Sequence, residues 1–181
     1  MLIILSGLPG VGKTTIAREL AWTIVAMHVR VDSIEQALRR FGWEVRGEGY
    51  QIAQVVVEDN LRLGHIVIAD SVNPWPATRQ DWRSVAERAG VPSLDVEVVC
   101  SDTDAHRLRV ESRVADIDGH RVPTWQEVLA RDYHAWDRDR LVIDTGRLGV
   151  ADAVREIMAM VPSAGTSPSR QSGSEPGRPG Q

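Results

Sequence analysis

Cysteine, lysine and long hydrophobic runs are scarce in this sequence of 181 residues. Cys100 is the only cysteine, so the chain cannot form an internal disulfide, which is typical of proteins in the reducing cytoplasm. No stretch approaches the roughly 20 apolar residues that a membrane-spanning helix requires. The net charge of −4 disfavours a protein that coats nucleic acid, because such proteins are generally basic. We therefore predict a cytoplasmic globular protein.

Lysine occurs at a single position. Of the 21 basic residues, only Lys13 is a lysine, and the others are arginines. A bias of the whole sequence towards arginine explains the others but not this exception. The pattern predicts that residue 13 requires a slim, flexible ammonium group that a planar guanidinium cannot replace.

Composition divides the chain into a domain and a tail. Residues 162–181 contain five Ser, four Gly and four Pro, and Ala164 is the only aliphatic side chain among them. Such a segment cannot bury enough apolar surface to offset the entropy lost on ordering. We predict one domain over residues 1–161 and a disordered tail over residues 162–181.

Within the domain, short apolar runs alternate with amphipathic segments. The predicted strands are Leu2–Leu5, His28–Val31, Ile66–Ala69, Leu94–Cys100 and Leu141–Asp144. The predicted helices are about Lys13–Ala26, Ser33–Arg40 with a Ser33–Gln36 capping box, Tyr50–Leu63, Pro76–Ala89, Asp102–Arg113, Thr124–Trp136 with a Thr124–Glu127 capping box, and Val150–Val161. This alternation favours a parallel sheet covered by helices on both faces, which is a three-layer α/β domain.

A glycine-rich motif lies between the first predicted strand and the first helix. Residues 7–14 read GLPGVGKT and match the phosphate-loop pattern GxxxxGK[ST] in the context that its mechanism requires. Glycines let backbone N–H groups surround phosphate oxygens, and the following helix adds its positive N-terminal dipole. Lys13 is predicted to reach the β- and γ-phosphates of ATP, and the Thr14 hydroxyl to hold Mg²⁺. The predicted nucleotide-binding residues are Gly7, Leu8, Pro9, Gly10, Val11, Gly12, Lys13, Thr14 and Thr15.

Further motifs narrow the class of nucleotide-binding protein. A guanine-reading Asn-Lys-x-Asp motif cannot exist without a second lysine, and the chain is too short for a transporter ATPase. Residues 2–21, VDSI at Val31–Ile34 and GHIVIADSVNPWPATRQDW at Gly64–Trp82 resemble the small P-loop kinases. That group includes the polynucleotide 5′-kinase domain, chloramphenicol phosphotransferase and zeta-toxin-like kinases. The resemblance covers residues 1–161 and implies a P-loop NTPase fold with strand order 2-3-1-4-5 and a small lid.

Two aspartates are candidate catalytic carboxylates, because strand ends in an open α/β sheet face one ligand crevice. Asp32 follows the second predicted strand, and the resemblance implies that it takes the proton from the acceptor hydroxyl; the alternative is a helix cap. Asp70 follows the third strand and resembles a Walker B carboxylate that binds Mg²⁺; the alternative is a turn residue. The resemblance also implies that Asn73 orients the site. Arg79 is predicted either to contact the acceptor or a phosphate or to be a solvent-facing helix residue.

The segment Val114–Pro123, named here the lid segment, follows two arginines on one helix face. Arg109 and Arg113 are spaced i, i+4. The resemblance implies that one of them neutralises the transferred phosphate, a role we favour for Arg113, and that Arg109 lies near the base. Surface pairing with acidic residues is the alternative. Trp43, Tyr50 and Trp75 are predicted either to line an acceptor pocket for an apolar or ring-bearing compound or simply to pack.

The combined observations predict an ATP- and Mg²⁺-dependent kinase with a hydroxylated small-molecule acceptor, such as a natural product or antibiotic. One alternative is a nucleic-acid 5′-hydroxyl kinase, which the acidic composition disfavours. A second alternative is a nucleotide-binding regulatory module without an acceptor. A homo-oligomer is compatible with the sequence.

Overall fold

The computed structural model describes residues 1–161, so the predicted tail lies outside the described residues. Five parallel strands form one sheet in the order β2-β3-β1-β4-β5, as predicted. The strands are β1 Leu2–Ser6, β2 Met27–Arg30, β3 Val67–Asp70, β4 Ser93–Val99 and β5 Leu141–Asp144. The helices are α1 Lys13–Ile24, α2 Val31–Arg40, α3 Glu48–Arg62, α4 Pro76–Arg88, α5 Thr103–Ser112, α6 Trp125–Leu129 and α7 Val150–Met160. Over residues 1–161, no helix is both long and apolar enough to cross a bilayer.

Alternating residues of the central strand divide the core into two halves. In β1, Ile3 and Leu5 face a cluster formed with α1 and α7, while Leu2 and Ile4 face a second cluster formed with α3 and α4. All four side chains are fully buried. Because both faces of the strand are covered, its sequence reads as a continuous apolar run, and the phosphate-loop motif follows directly from its buried end.

The second strand ends one residue earlier than predicted. β2 stops at Arg30, and Val31 and Asp32 already belong to the first turn of α2. The predicted Ser33–Gln36 capping box is wrong, since Arg30 is the N-cap residue and no side chain caps the helix. Asp32 therefore stands near a helix N-terminus, where the helix dipole favours a negative charge.

The sixth helix is shorter than its sequence pattern indicates. Its predicted capping box forms, with Thr124 accepting from the Glu127 N–H, but the helix ends at Leu129 rather than near Trp136. The carbonyl groups of His134 and Ala135 instead accept hydrogen bonds from the buried guanidinium of Arg79. A tertiary partner thus replaces the helical bonding of this segment.

Trp82 on α4 is fully buried, and its Nε1 donates to Asn73 Oδ1 at 3.0 Å. We expect Trp82→Phe to lower the free energy of unfolding by about 1–3 kcal/mol, because Asn73 loses a buried hydrogen-bond partner. Urea unfolding followed by circular dichroism measures the change. Trp22→Phe is the matched control, since Trp22 is exposed on α1, and a surface change costs about 0.5 kcal/mol or less. Equal effects of the two variants would contradict the role of the buried bond.

Candidate active site

The loop between β1 and α1 has the backbone conformation that its glycines predict. Gly7 has φ +141°, and a Cβ there would lie 2.2 Å from the Val98 carbonyl oxygen. Gly10 has φ +84°, and a Cβ there would lie 2.4 Å from the Val110 side chain. Neither position can accept another residue without displacing its neighbour. The loop is therefore held tightly between β4 and α5, with its backbone turned towards the N-terminus of α1.

Lys13 stands at the centre of the cleft. Its side chain is buried, and its Nζ donates to the Leu8 carbonyl oxygen at 2.9 Å, so the ammonium folds back over the loop. Burial lowers the pKa of Lys13, while the carboxylates of Asp70 and Asp32 act in the opposite direction. The ammonium and both predicted carboxylates therefore belong to one electrostatic unit.

Asp70, the last residue of β3, is almost fully buried beside the phosphate loop. Burial raises the pKa of Asp70, but a hydrogen bond from His28, the positive charge of Lys13 and a hydrogen bond from Thr14 together lower it below its usual value. His28 Nε2 lies 3.2 Å from Asp70 Oδ2. The Asp70 carboxylate and the Thr14 hydroxyl are thus neighbours, and oxygen ligands of this kind suit Mg²⁺.

Asp32 is more exposed than Asp70 and faces the cleft. Its carboxylate lies 3.6 Å from the Arg30 guanidinium, whose side chain is only 5% exposed. Glu35, Gln36 and Arg39 of α2 line the same end of the cleft. Asp32 is therefore accessible to a ligand that also contacts the phosphate loop. The geometry agrees with a carboxylate available for chemistry and not with a helix cap.

Arg109 marks the opposite end of the cleft. Its guanidinium donates to Thr145 Oγ1 at 2.9 Å and to the Thr145 carbonyl oxygen at 3.1 Å. The Thr145 hydroxyl lies 2.8 Å from the Val11 carbonyl oxygen and 3.1 Å from that of Val99. Neutral hydrogen bonds therefore connect the phosphate loop to the ends of β4 and β5.

Ion pairs connect the lid segment to the other end of the cleft. Asp116 Oδ2 lies 2.6 Å from Arg18 and 2.7 Å from Arg30, and Asp116 Oδ1 lies 3.5 Å from Arg113. Partial burial raises the pKa of Asp116, but hydrogen bonds from Arg30 and Arg18 hold it well below the usual range. Asp118 forms a separate ion pair with Arg40 at 2.9 Å.

Together these elements enclose a cleft of about 930 Å³. The structure brings ten of the thirteen predicted site residues to its wall, and these are Pro9, Gly10, Gly12, Lys13, Thr14, Thr15, Asp32, Asp70, Arg109 and Arg113. Gly7, Leu8 and Val11 complete the loop without lining the cleft, and the Leu8 carbonyl instead accepts the bond from Lys13. The wall is predominantly charged and polar.

The predicted aromatic acceptor pocket is wrong. Trp43 is 60% exposed on the loop after α2, and Trp75 donates to Asp132, so neither lines the cleft. Tyr50 packs against Trp82 in the core and accepts a hydrogen bond from the Asn73 N–H. Of the three, only Tyr50 packs in the core, and the end of the cleft beside Asp32 is lined by polar side chains.

Arg79 and Asn73 are structural residues. The fully buried Arg79 donates to four backbone carbonyls and stacks on Trp136. The predicted contact with acceptor or phosphate and the alternative of a solvent-facing residue are therefore both wrong. Asn73 has φ +48° and receives hydrogen bonds from Ser71 and Trp82 at its side-chain oxygen. It fixes the position of Ser71, which does line the cleft.

Sequence reasoning missed several residues around the cleft. Arg18 carried a usable signal, because it stands four residues after Thr14 and so shares its helix face. Arg30, Asp116 and Arg131 carried none, since they come together only through the sheet order and the path of the lid segment. Arg131 lines the cleft and, with Arg113, acts electrostatically on Lys13.

The strand order, the phosphate loop and the strand-edge carboxylates define a P-loop protein with a kinase fold. A structure of the Mycobacterium tuberculosis APS kinase, in complex with AMPPNP and APS, superposes with a TM-score of 0.68 at 17% identity, covering 90% of this chain and 97% of that one. A gluconokinase from Sinorhizobium meliloti 1021 gives a TM-score of 0.60 at 16% identity over 87% of this chain and 89% of that one. At these identities the likeness establishes the fold alone.

Sequence comparison gives the family. The profile of the AAA domain family matches residues 2–132, and the chain belongs to this family. An adenylyl-sulfate kinase from Myxococcus xanthus is 32% identical in an alignment over 106 residues that covers 52% of this chain and 55% of that protein. The chain thus spans little more than half the length of this curated relative. The narrower resemblance to zeta-toxin-like kinases and chloramphenicol phosphotransferase stays a prediction.

Proposed function

We propose that this chain is an ATP- and Mg²⁺-dependent kinase that transfers the γ-phosphate to a hydroxyl of a small, polar acceptor. The observation that carries this proposal is the convergence of the phosphate loop, Lys13, Asp70 and Asp32 on one cleft. The similar proteins from Myxococcus xanthus and Sinorhizobium meliloti are by name kinases, which supports phosphoryl transfer as the reaction class.

The residues present fit a magnesium–nucleotide complex. Positive φ values at Gly7, Gly10 and Gly12 turn the loop into the type of backbone cradle that surrounds phosphates. The Thr14 hydroxyl and the Asp70 carboxylate form the oxygen donor set that would hold Mg²⁺, together with waters and phosphate oxygens. When bound, the metal neutralises charge on the phosphates. Arg109, beside Thr145, is proposed to contact the base end of the nucleotide.

We assign the catalytic roles of the other cleft residues from their charge and their position. Lys13 and Arg113 stabilise the negative charge that builds on the transferred group, since fixed cations are most effective where charge develops. Asp32 accepts the proton of the acceptor hydroxyl and holds that oxygen in line with the phosphate. His28 donates to Asp70 and keeps this carboxylate oriented towards the loop.

The residues that line the cleft beside Asp32 indicate the chemical class of the acceptor. Glu35, Gln36 and Arg39 line this end, and hydrogen-bonding groups of this kind suit a hydrophilic acceptor with several polar substituents. An apolar natural product does not match the wall. Polynucleotide binding remains disfavoured by the acidic composition of the whole chain.

The test is phosphate transfer from γ-labelled ATP to a metabolite extract, with mass identification of the labelled product. A defined panel of adenylyl sulfate, gluconate and an oligonucleotide with a 5′-hydroxyl end runs beside it. A labelled small hydrophilic product supports the proposal. AMPPNP binding without transfer to any acceptor would identify a nucleotide-binding module, and labelling of the oligonucleotide alone would identify a nucleic-acid kinase.

A further inference from the structure

Three arginines from different parts of the chain converge on the single carboxylate of Asp116. Arg18 comes from α1, Arg30 ends β2, and Arg113 follows α5. The two shortest contacts, 2.6 and 2.7 Å, are charge-assisted hydrogen bonds to the same oxygen. Such a fork of guanidinium groups is the usual protein arrangement for a phosphate, sulfate or carboxylate.

The carboxylate of Asp116 does not use all the hydrogen-bond donors of these arginines. Arg30 is 5% exposed at its side chain, yet its Nε and one of its Nη atoms have no hydrogen-bond partner among the described residues. A buried guanidinium with unused donors is costly, because desolvation is not compensated. Even with Asp32 counted beside Asp116, the cluster carries more positive than negative charge. The arginines can therefore accept an anion with more oxygens than one carboxylate.

The arginines and Asp116 belong to different kinds of backbone structure. Arg18 and Arg30 project from a helix and a strand of the core, whereas Asp116 lies on the lid segment, which has no regular helix or strand. Moving the lid segment would withdraw the carboxylate and leave the two core arginines in place. Asp116 thus has the position of an internal competitor for the arginines.

The position of the arginines in the cleft indicates that they bind the acceptor rather than the nucleotide. The sheet order puts β2, which ends at Arg30, at the edge opposite β5, and the phosphate loop lies between them. Arg109 and Thr145 occupy the β5 side of the cleft. Asp32, two residues beyond Arg30, is the carboxylate proposed to contact the acceptor hydroxyl.

We propose that Arg18 and Arg30 form a binding site for an anionic group of the acceptor, and that Asp116 competes with this group for the two arginines. The proposal rests on the proposed function, because it assigns the site to the acceptor. It narrows the acceptor to a hydroxylated compound that carries a phosphate, sulfate or carboxylate. Binding of that group releases the lid segment from the arginines.

The test measures the affinity for inorganic phosphate by isothermal titration in the presence of saturating AMPPNP and Mg²⁺. We expect Asp116→Asn to bind phosphate about tenfold more tightly than the unmodified chain, because an internal competitor that occupies a site nine-tenths of the time weakens ligand binding tenfold. The double variant Arg30→Gln, Asp116→Asn should lose this gain. Asp152→Asn is the matched control, because its ion pair with Arg155 lies on α7, away from the lid segment and from the cleft wall.

Several outcomes would overturn the proposal. Unchanged phosphate affinity in Asp116→Asn contradicts the competition, and loss of phosphate binding on addition of AMPPNP would assign the arginines to the nucleotide. Should Asp116→Asn fail to fold, Arg18→Gln replaces it, since Arg18 is more than half exposed and should fold normally. This variant must then reduce the rise in melting temperature that phosphate causes. Transfer of labelled phosphate from ATP to the metabolite extract reports separately on the proposed function, so the two failures are distinguishable.

Discussion

Replacing Lys13 with Ala should lower kcat by about 10²-fold or more, which is the usual effect of removing one fixed charge that stabilises a transition state. The effect follows from the sequence and the structure together. Lys13 is the only lysine, and its buried ammonium donates to the Leu8 carbonyl and is influenced by the carboxylates of Asp70 and Asp32. Lys13→Arg should also fall below a tenth of the original rate, because a planar guanidinium does not fit a cradle shaped for a point charge. Steady-state turnover of labelled ATP measures both variants.

The control for loss of a positive charge is Arg107→Ala. Arg107 lies on α5, pairs with Glu111 and is not part of the cleft wall. Its removal should leave kcat unchanged. Circular dichroism must show that both Lys13 variants remain folded. Activity above a tenth of the original rate in a folded Lys13 variant would contradict the phosphate-loop role of this residue.

Asp32→Asn should lower phosphoryl transfer by about 10²-fold, because an amide cannot accept the proton of the acceptor hydroxyl. The substitution keeps the volume of the side chain, and Asp32 caps no helix, so the melting temperature should change little. AMPPNP affinity should also stay near its original value. Kinetic assay and nucleotide titration on the same preparation separate a catalytic role from a binding role.

Asp81→Asn is the matched control for loss of a carboxylate, since Asp81 is exposed on α4 and lies outside the cleft wall. Its transfer rate should be unaltered. If Asp32→Asn transfers phosphate at the original rate, the proton acceptor is another group and the role assigned to Asp32 is wrong. If it loses AMPPNP affinity instead, Asp32 belongs to the nucleotide site.

The strands of the sheet could be predicted from the sequence because several local signals mark each of them. Each strand is a short apolar run followed by a polar residue, and the phosphate-loop motif fixes where β1 ends and α1 begins. Strand order came from a family resemblance, since no local pattern states which strands are neighbours. The boundaries that failed are those that tertiary contacts decide. α6 ends early because Arg79 takes the carbonyls of His134 and Ala135.

The same distinction between local signals and tertiary contacts applies to the site. Residues close to the motif, such as Lys13 and Thr14, could be predicted because the chemistry requires them at fixed spacing. The end of the cleft around Arg30 and Asp116 could not be predicted, because these two residues are 86 residues apart and no pattern relates them. The tryptophans were misleading for a similar reason. Trp75 is held by Asp132, a partner that only the folded chain provides.

The two ends of the cleft are held by different forces, and they should respond differently to ionic strength. Neutral hydrogen bonds join Thr145 to the loop and to β4, and dissolved salt hardly affects such bonds. Exposed charge pairs, Arg18 with Asp116 and Arg40 with Asp118, attach the lid segment, and they weaken as the Debye length shrinks to about 8 Å at 0.15 M. The buried Arg30 is screened much less. Salt therefore loosens the Arg18 and Arg40 attachments of the lid segment, while the hydrogen bonds of Thr145 keep their strength and Arg30 continues to hold Asp116.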